Sequence, residues 1–244
     1  MADRTLRVCA LYPDLLNIYA DRGNLLLLER RCQWRGLGFE LAGAGLGDPL
    51  DPDAHDLFYI GGGQDRDQAL CALDMVETKR EALHAAADRG AVVFAVCGGY
   101  QLLGHGYAMG DERLPGVGLV DLETVREDGP RLIGNVAIEL ADGQVLAGFE
   151  NHGGRTRLGP AATPLGRVLR GHGNDGRSGQ EGVRGGKHDT VVGTYLHGPL
   201  LPKNAHFADW LTARALGIAP SELGPLDDAL ESAAHAAARR AAGV

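Results

Sequence analysis

No stretch of this chain comes near the ~18–20 consecutive apolar residues that a membrane-spanning helix needs, so no span is expected. Cysteine is scarce: Cys9, Cys32, Cys71 and Cys97 are the four in the chain, and none falls in a CxxC pair. That excludes a zinc ribbon, a CxxC redox centre and a paired disulfide framework. It fits a reducing cytoplasm, with one reactive thiol and three in the core. Positive charge is in deficit as well. The net charge of −8 is spread over many small clusters, which argues against nucleic acid or an anionic membrane as the main partner. A phosphate loop is missing too. Gly61-Gly62-Gly63 is followed by no Lys-Ser/Thr and lacks GxGxxG spacing, so nucleotide binding is set aside. Met1-Ala2-Asp3-Arg4 leads straight into an expected strand with no signal-peptide pattern, and a cytoplasmic location is expected.

What the chain has in abundance is glycine, 37 of 244 residues, placed mostly at element ends, as expected where many loops meet a ligand. The length suits one α/β domain with a full core. Apolar runs predict strands over 6–11, 39–41, 57–60 and 91–96, and helical spacing predicts helices over 24–34, 64–73 and 75–87. Alternating strands and helices give a parallel sheet with right-handed crossovers, in which ligands gather at the strands' carboxyl ends. After Gly104 shorter strands are expected over 118–125, 132–140, 145–150, 166–169, 181–184 and 190–196, forming an antiparallel extension. The glycine- and charge-rich stretch 171–186 reads as a mobile loop. A helix is expected over 203–216, with Phe207, Trp210 and Leu211 inward, and an alanine-rich helix over 226–240 with little to bury. Residues 1–217 are taken as one domain, and 218–244 as a helical tail packed on it or fraying from it.

One stretch organises the rest. Ala91-Val92-Val93-Phe94-Ala95-Val96 reads as a strand buried on both faces, and it stops at Cys97-Gly98-Gly99 before the helical Tyr100-Gln101-Leu102-Leu103. A sharp strand-to-helix turn lifts the cysteine onto the strand's end and aims free N–H groups at it, favouring the thiolate. Such a nucleophile needs a base. Of nine histidines only His197 has a matching context, closing the strand Thr190–Leu196 against Gly198-Pro199. Backbone N–H groups of Gly63 and Gly98 are expected to form an oxyanion hole.

Val96-Cys97-Gly98-Gly99-Tyr100-Gln101, Gly61-Gly62-Gly63-Gln64-Asp65 and Gly193-Thr194-Tyr195-Leu196-His197-Gly198 resemble the class I glutamine amidotransferases of the cobyric-acid-synthase type. Asn17 to Asn24, Arg131-Leu132-Ile133-Gly134-Asn135, Gly148 to Thr156 and His197 to Asn204 narrow the resemblance to a branch of stand-alone glutaminase subunits. It implies a flavodoxin-like fold, with a mixed, mainly parallel sheet flanked by helices. It also implies hydrolysis of L-glutamine to glutamate and ammonia through a Cys97 thioester, with His197 as base. Arg131 would hold the substrate's carboxylate, with Gly63, Gly98 and Gln101 lining the pocket. No cofactor or metal is implied in this chain. ATP and magnesium would belong to a Mur-ligase-like partner (MurT), which would use the ammonia to convert D-glutamate of the lipid II stem peptide into D-isoglutamine in a heterodimer.

The family often carries an acid two positions after its histidine, as His-x-Glu, and here that position is Pro199. A dyad, a backbone carbonyl, Glu150 or an acid from the partner remain open as the third element. His152 is a competing base, and His105 is expected to point away. Two other functions stay in view: a glutaminase for another synthetase, such as one amidating a corrinoid precursor, and a non-catalytic scaffold.

Overall fold

In the computed structural model the described residues are 4–18 and 21–244. Met1, Ala2, Asp3, Tyr19 and Ala20 lie outside them. The segment before the first strand and the centre of the Asn17-to-Asn24 motif therefore fall outside this description. The heart of the molecule is a six-stranded sheet whose central strands are short apolar runs buried on both faces, while its edge strand at 38–44 is largely exposed. Its strands are β1 (Thr5–Leu11), β2 (Gly38–Ala44), β3 (Leu57–Ile60), β4 (Val92–Val96), β13 (Val183–Gly185) and β14 (Val191–Thr194). They lie in the order β13-β14-β4-β3-β1-β2, and all neighbours are parallel except β13 against β14.

Parallel neighbours require crossovers, and helices supply them. α1 (Arg22–Trp34) joins β1 to β2; α2 (Asp65–Asp74), one π-helical turn (Met75–Lys79) and α3 (Arg80–Asp88) join β3 to β4. The break expected near Asp74 is this wider turn, in which Lys79 is wholly buried beside Asp74 and over the Tyr12 ring. The elbow helix α4 (Gly98–Leu102) follows β4, and α5 (Ala205–Ala215) packs on α1 and β4. Phe207 and Leu211 of α5 are buried as expected, while Trp210 is half-buried.

The expected antiparallel half comprises β13 and two further four-stranded sheets, antiparallel throughout except where the strands at 106–109 and 122–126 run parallel. One is ordered β10-β7-β5-β6, from β5 (Gly106–Met109), β6 (Glu112–Pro115), β7 (Leu122–Arg126) and β10 (Gly154–Leu158). The other is ordered β12-β11-β8-β9, from β8 (Leu132–Leu140), β9 (Val145–His152), β11 (Gly166–Arg170) and β12 (Gln180–Glu181). β5, β6 and β10 were not anticipated from sequence. The stretch 171–186 is not a free loop. The Glu150 carboxylate accepts the N–H groups of His172 and Gly173, and Asn174 is buried and bonded to Gly182.

The last helix, α6 (Ala229–Ala242), buries none of its residues, in line with its composition. Polar contacts attach it: Asn135 donates to the Ala241 carbonyl, the His235 ring bonds the Lys203 carbonyl, and Asp228 just before it accepts from Arg31. The Arg31 side chain has no solvent exposure and is shared between Asp209 (2.7 Å) and Asp228 (2.7 Å). Arg31→Ala leaves Asp228 without this partner and Asp209 with Arg35 alone, and losing a charge-assisted bond costs about 1.5–3 kcal/mol. Urea unfolding is expected to show a deficit of that size. A deficit below about 1 kcal/mol would mean that the cluster behaves as a surface ion pair.

Candidate active site

Four adjacent strands, β14, β4, β3 and β1, deliver four chemical groups to one edge of the sheet. β4 delivers Cys97. Its φ of 50° and ψ of −106° are strained for a residue with a side chain, the conformation a nucleophile elbow requires. The bend is possible because nothing projects from the next two positions. A Cβ on Gly99 would stand 2.5 Å from Ile60 Cγ2 and 2.8 Å from the Gly61 carbonyl, so α4 lies directly on the end of β3. The Cys97 N–H donates to Thr194 O at 2.8 Å, which sets the thiol beside the end of β14.

β14 delivers His197, which has no solvent exposure. Its backbone is clamped by a two-way bridge to Phe149 of β9, with N–H to O distances of 2.7 and 3.2 Å. Just upstream, buried Glu181 accepts from Thr194 Oγ1 (2.8 Å) and the Tyr195 N–H (2.7 Å), and burial pushes its carboxyl up to about 7. The His197 ring lies beside Cys97 and, through Nδ1, faces Asp21 Oδ1 at 3.3 Å. Burial is the largest single influence and disfavours the imidazolium. The negative charge and close approach of Cys97, with the bond to Asp21 and its charge, together outweigh it, raising the ring to about 10 from its ordinary 6.5.

Asp21 is the group that sequence reasoning missed. It is wholly buried at the start of α1, after β1, and its second oxygen accepts the Gly62 N–H at 3.1 Å. Its carbonyl accepts from Tyr59 of β3. The neighbouring Asn24 accepts the Leu201 N–H at 2.8 Å, tying α1 to the turn after His197. An acid of this chain thus stands against His197, where a third element would act. Glu150 does not fill that place: both its oxygens are spent on the His172 and Gly173 N–H groups (2.6 and 2.9 Å), with His152 Nε2 at 3.9 Å. The available signal was topological, since β1 ends at the same edge as β3, β4 and β14.

β3 delivers Gly61-Gly62-Gly63. The Gly63 nitrogen lies 3.1 Å from where a Gly98 Cβ would stand, so the two expected oxyanion donors are neighbours. No hydrogen bond among the described residues uses either N–H. Gly63 also borders a cavity of about 450 Å³, together with Ile18, Gln64, Asp65, Arg66 and Arg131. Arg131 is exposed there and is held by two bonds to Asn151, from Nε to Oδ1 and from Nη2 to the carbonyl, both 2.8 Å. Gln101, expected to face substrate, instead spends its amide on protein. Its Oε1 accepts from Gln68 at 2.8 Å and its Nε2 donates to Tyr195 at 3.1 Å.

The competing histidines are placed elsewhere. The His152 ring is stacked on Tyr195 (3.5 Å between centroids) with Nδ1 on the Gly154 carbonyl, and burial lowers its pKa. His105 bonds Asp121 at the surface. Among the described residues no group of three or more His, Cys, Asp or Glu side chains is arranged to hold a metal, and no helix is long and apolar enough to cross a membrane. A thiol beside an imidazole that a carboxylate holds, next to two N–H groups with no hydrogen bond among the described residues, is suited to acyl transfer.

Known proteins share this arrangement of sequence and fold. A family model for the CobB/CobQ-like glutamine amidotransferase domain matches residues 7–205. The chain is 37% identical to subunit GatD of the glutamine-hydrolysing lipid II isoglutaminyl synthase of Streptococcus pneumoniae, over 86% of this chain and 80% of that protein. The Staphylococcus aureus subunit of the same name is 37% identical over 83% and 81%. The cobyric acid synthase of Methylorubrum populi is 35% identical over 75% of this chain but 36% of that protein. In fold, the chain resembles PurLQS from Thermotoga maritima (TM-score 0.59, 21% identity, 87% of this chain and 95% of that one). It also resembles the acivicin-bound glutaminase domain of Trypanosoma brucei CTPS (TM-score 0.53, 11% identity, 88% and 95%).

The charge on His197 gives a direct test. Its pKa is raised above the unfolded value, so the stability it contributes is full below about 6.5 and is lost as pH rises through about 10. Removing the Asp21 charge withdraws one of the supports of the imidazolium. Nitrogen NMR of the His197 ring is therefore expected to show deprotonation at lower pH in Asp21→Asn than in the parent. An unchanged titration would separate Asp21 from the histidine.

Proposed function

The chain belongs to the CobB/CobQ-like glutamine amidotransferases, and from that premise we propose that it is the glutaminase subunit of a lipid II isoglutaminyl synthase. The likeness to GatD over most of both chains supports that assignment within the family. The observation that carries the chemistry is the buried relay Cys97–His197–Asp21 at one sheet edge. As a glutamine amidotransferase the protein is an enzyme. In this proposal it supplies ammonia to a Mur-ligase-like synthetase that holds ATP and magnesium and amidates D-glutamate of the stem peptide.

The Cys97 thiolate attacks the side-chain amide carbon of L-glutamine, and the resulting oxyanion is met by the N–H groups of Gly63 and Gly98. Imidazolium at His197 gives its proton to the departing nitrogen, so the C–N bond breaks as ammonia forms, leaving a glutamyl thioester. His197, now neutral, takes a proton from water. The hydroxide expels the thiolate, releasing glutamate and restoring the ion pair. Asp21 keeps the ring in the tautomer and orientation that both steps need. Arg131, steadied by Asn151, pairs with the substrate's α-carboxylate.

Because the orienting acid belongs to this chain, ammonia release is expected from the isolated subunit, and a partner is not required to complete the relay. Cys97→Ala is expected to abolish ammonia release. Asp21→Asn should lower kcat by roughly 10²–10⁴-fold, whereas Glu150→Gln leaves turnover of the folded protein intact. Arg131→Ala should raise KM roughly 10- to 100-fold while the thiol still reacts with a small alkylating agent. Full activity in Asp21→Asn, or activity seen only with the synthetase bound, would place the third group in the partner.

A further inference from the structure

We propose that Gln68 is a positioning residue that sets the spacing of the two oxyanion donors; this rests on the glutaminase reading above. The donors sit on separate segments, Gly63 at the end of β3 and Gly98 at the start of α4, so a side chain or backbone contact must fix one against the other. Gln68 is fixed to the first segment: it lies in the opening turn of α2, directly after the Gly61–Gly63 loop, with its N–H on the Gln64 carbonyl at 2.9 Å. Its side chain reaches the second. Nε2 donates to the Gly98 carbonyl at 3.2 Å and to Gln101 Oε1 at 2.8 Å, which uses both of its hydrogens.

A second cross-link runs beside it, from the Gly99 N–H to the Gly61 carbonyl at 3.1 Å. The Gly98–Gly99 peptide is therefore held at its C=O by Gln68 and at its N–H by the β3 loop. Such holding is needed because Cys97 sits at a strained φ of 50° and glycine follows it. Any drift of Gly98 away from Gly63 would relax that strain, and a glycine offers no side chain to oppose the drift. Gln101 extends the brace. It passes from Gln68 to Tyr195 (3.1 Å), and Tyr195 continues to Thr156 (2.6 Å) and Thr124 (2.8 Å), all buried. Gln68 itself is 1% exposed, so it does not touch solvent and is not among the residues bordering the cavity.

Gln68→Met tests this, since it keeps the volume and removes both donors. The expected result is a folded protein whose kcat for glutamine falls roughly 10- to 100-fold, below the loss typical of deleting an oxyanion donor outright. KM should stay within a few-fold, and alkylation of Cys97 by iodoacetamide, which forms no oxyanion, should keep its rate. Q68E gives the second readout. The introduced carboxyl offers one hydrogen, and only while protonated, so its activity relative to the parent's should be highest at acidic pH and fall as pH rises, with the fold intact by circular dichroism. Acyl transfer from p-nitrophenyl acetate to Cys97 also passes through an oxyanion, and it is measured alongside glutamine. If the parent acylates but never releases ammonia, the glutaminase reading fails while the comparison of variants still stands. Unchanged kcat in Gln68→Met, or parallel loss of turnover and alkylation, would overturn the positioning role.

Discussion

A carboxylate and an imidazole, both without solvent exposure and 176 positions apart in sequence, meet at the end of the central sheet. Taking a carboxylate out of water costs several kcal/mol unless its oxygens find partners. Asp21 finds them in the Gly62 N–H and the His197 ring, and each partner belongs to a different strand end. One side chain thus holds the ends of β3 and β14 in register with the start of α1, around the β4 end that carries Cys97. A shift in any of these ends would leave a buried oxygen unsatisfied. The geometry that chemistry needs is therefore also a condition of stability.

Pro199 fits this arrangement. It occupies the place where related enzymes often carry their acid, and its ring packs against the start of α1: a Cβ on Gly23 would stand 2.5 Å from Pro199 Cγ. Close approach at Gly23 lowers the N-terminus of α1 onto the histidine turn, and the Asn24 bond to Leu201 fixes it there. An apolar contact after the histidine and an acid before the helix are two parts of one solution. Cys97, His197 and the Gly61–Gly63 loop were legible in the sequence because each announces itself locally, as an apolar run that ends abruptly in glycine. Asp21 does not. Its function depends on which strand ends share an edge, and a search for an acid near His197 could not reveal that.

The second half of the chain was less legible for a related reason. β5 and β6 are four residues each, with only one or two bulky apolar side chains apiece, and β10 reads Gly-Arg-Thr-Arg-Leu. Their strand character comes from pairing, β5 and β10 with β7 and β6 with β5, contacts that override local propensity. The stretch 171–186 looked mobile by composition. Its order comes from three buried side chains that composition hides: Glu150 holding its start, Asn174 crossing to Gly182, and Glu181 turned back onto Thr194 and Tyr195.

The antiparallel half is best understood through β9, where four successive residues serve the site. The backbone of Phe149 clamps His197, Glu150 pins the 171–173 turn, Asn151 grips Arg131, and His152 stacks on Tyr195. A strand turns alternate residues to opposite faces, so Glu150 and His152 share one face and are both buried, while Asn151 projects from the other. That alternation lets one element brace the interior and hold Arg131, which borders the cavity. It matters most for Arg131, which is exposed. An exposed ion pair is worth little, ~1 kcal/mol or less, partly because a long side chain loses freedom on forming it. Two bonds from Asn151 remove much of that freedom before any ligand arrives, so the guanidinium can grip a carboxylate at lower entropic cost. A rigid strand supplying Asn151 is thus what would let a surface arginine serve as the anchor proposed for it.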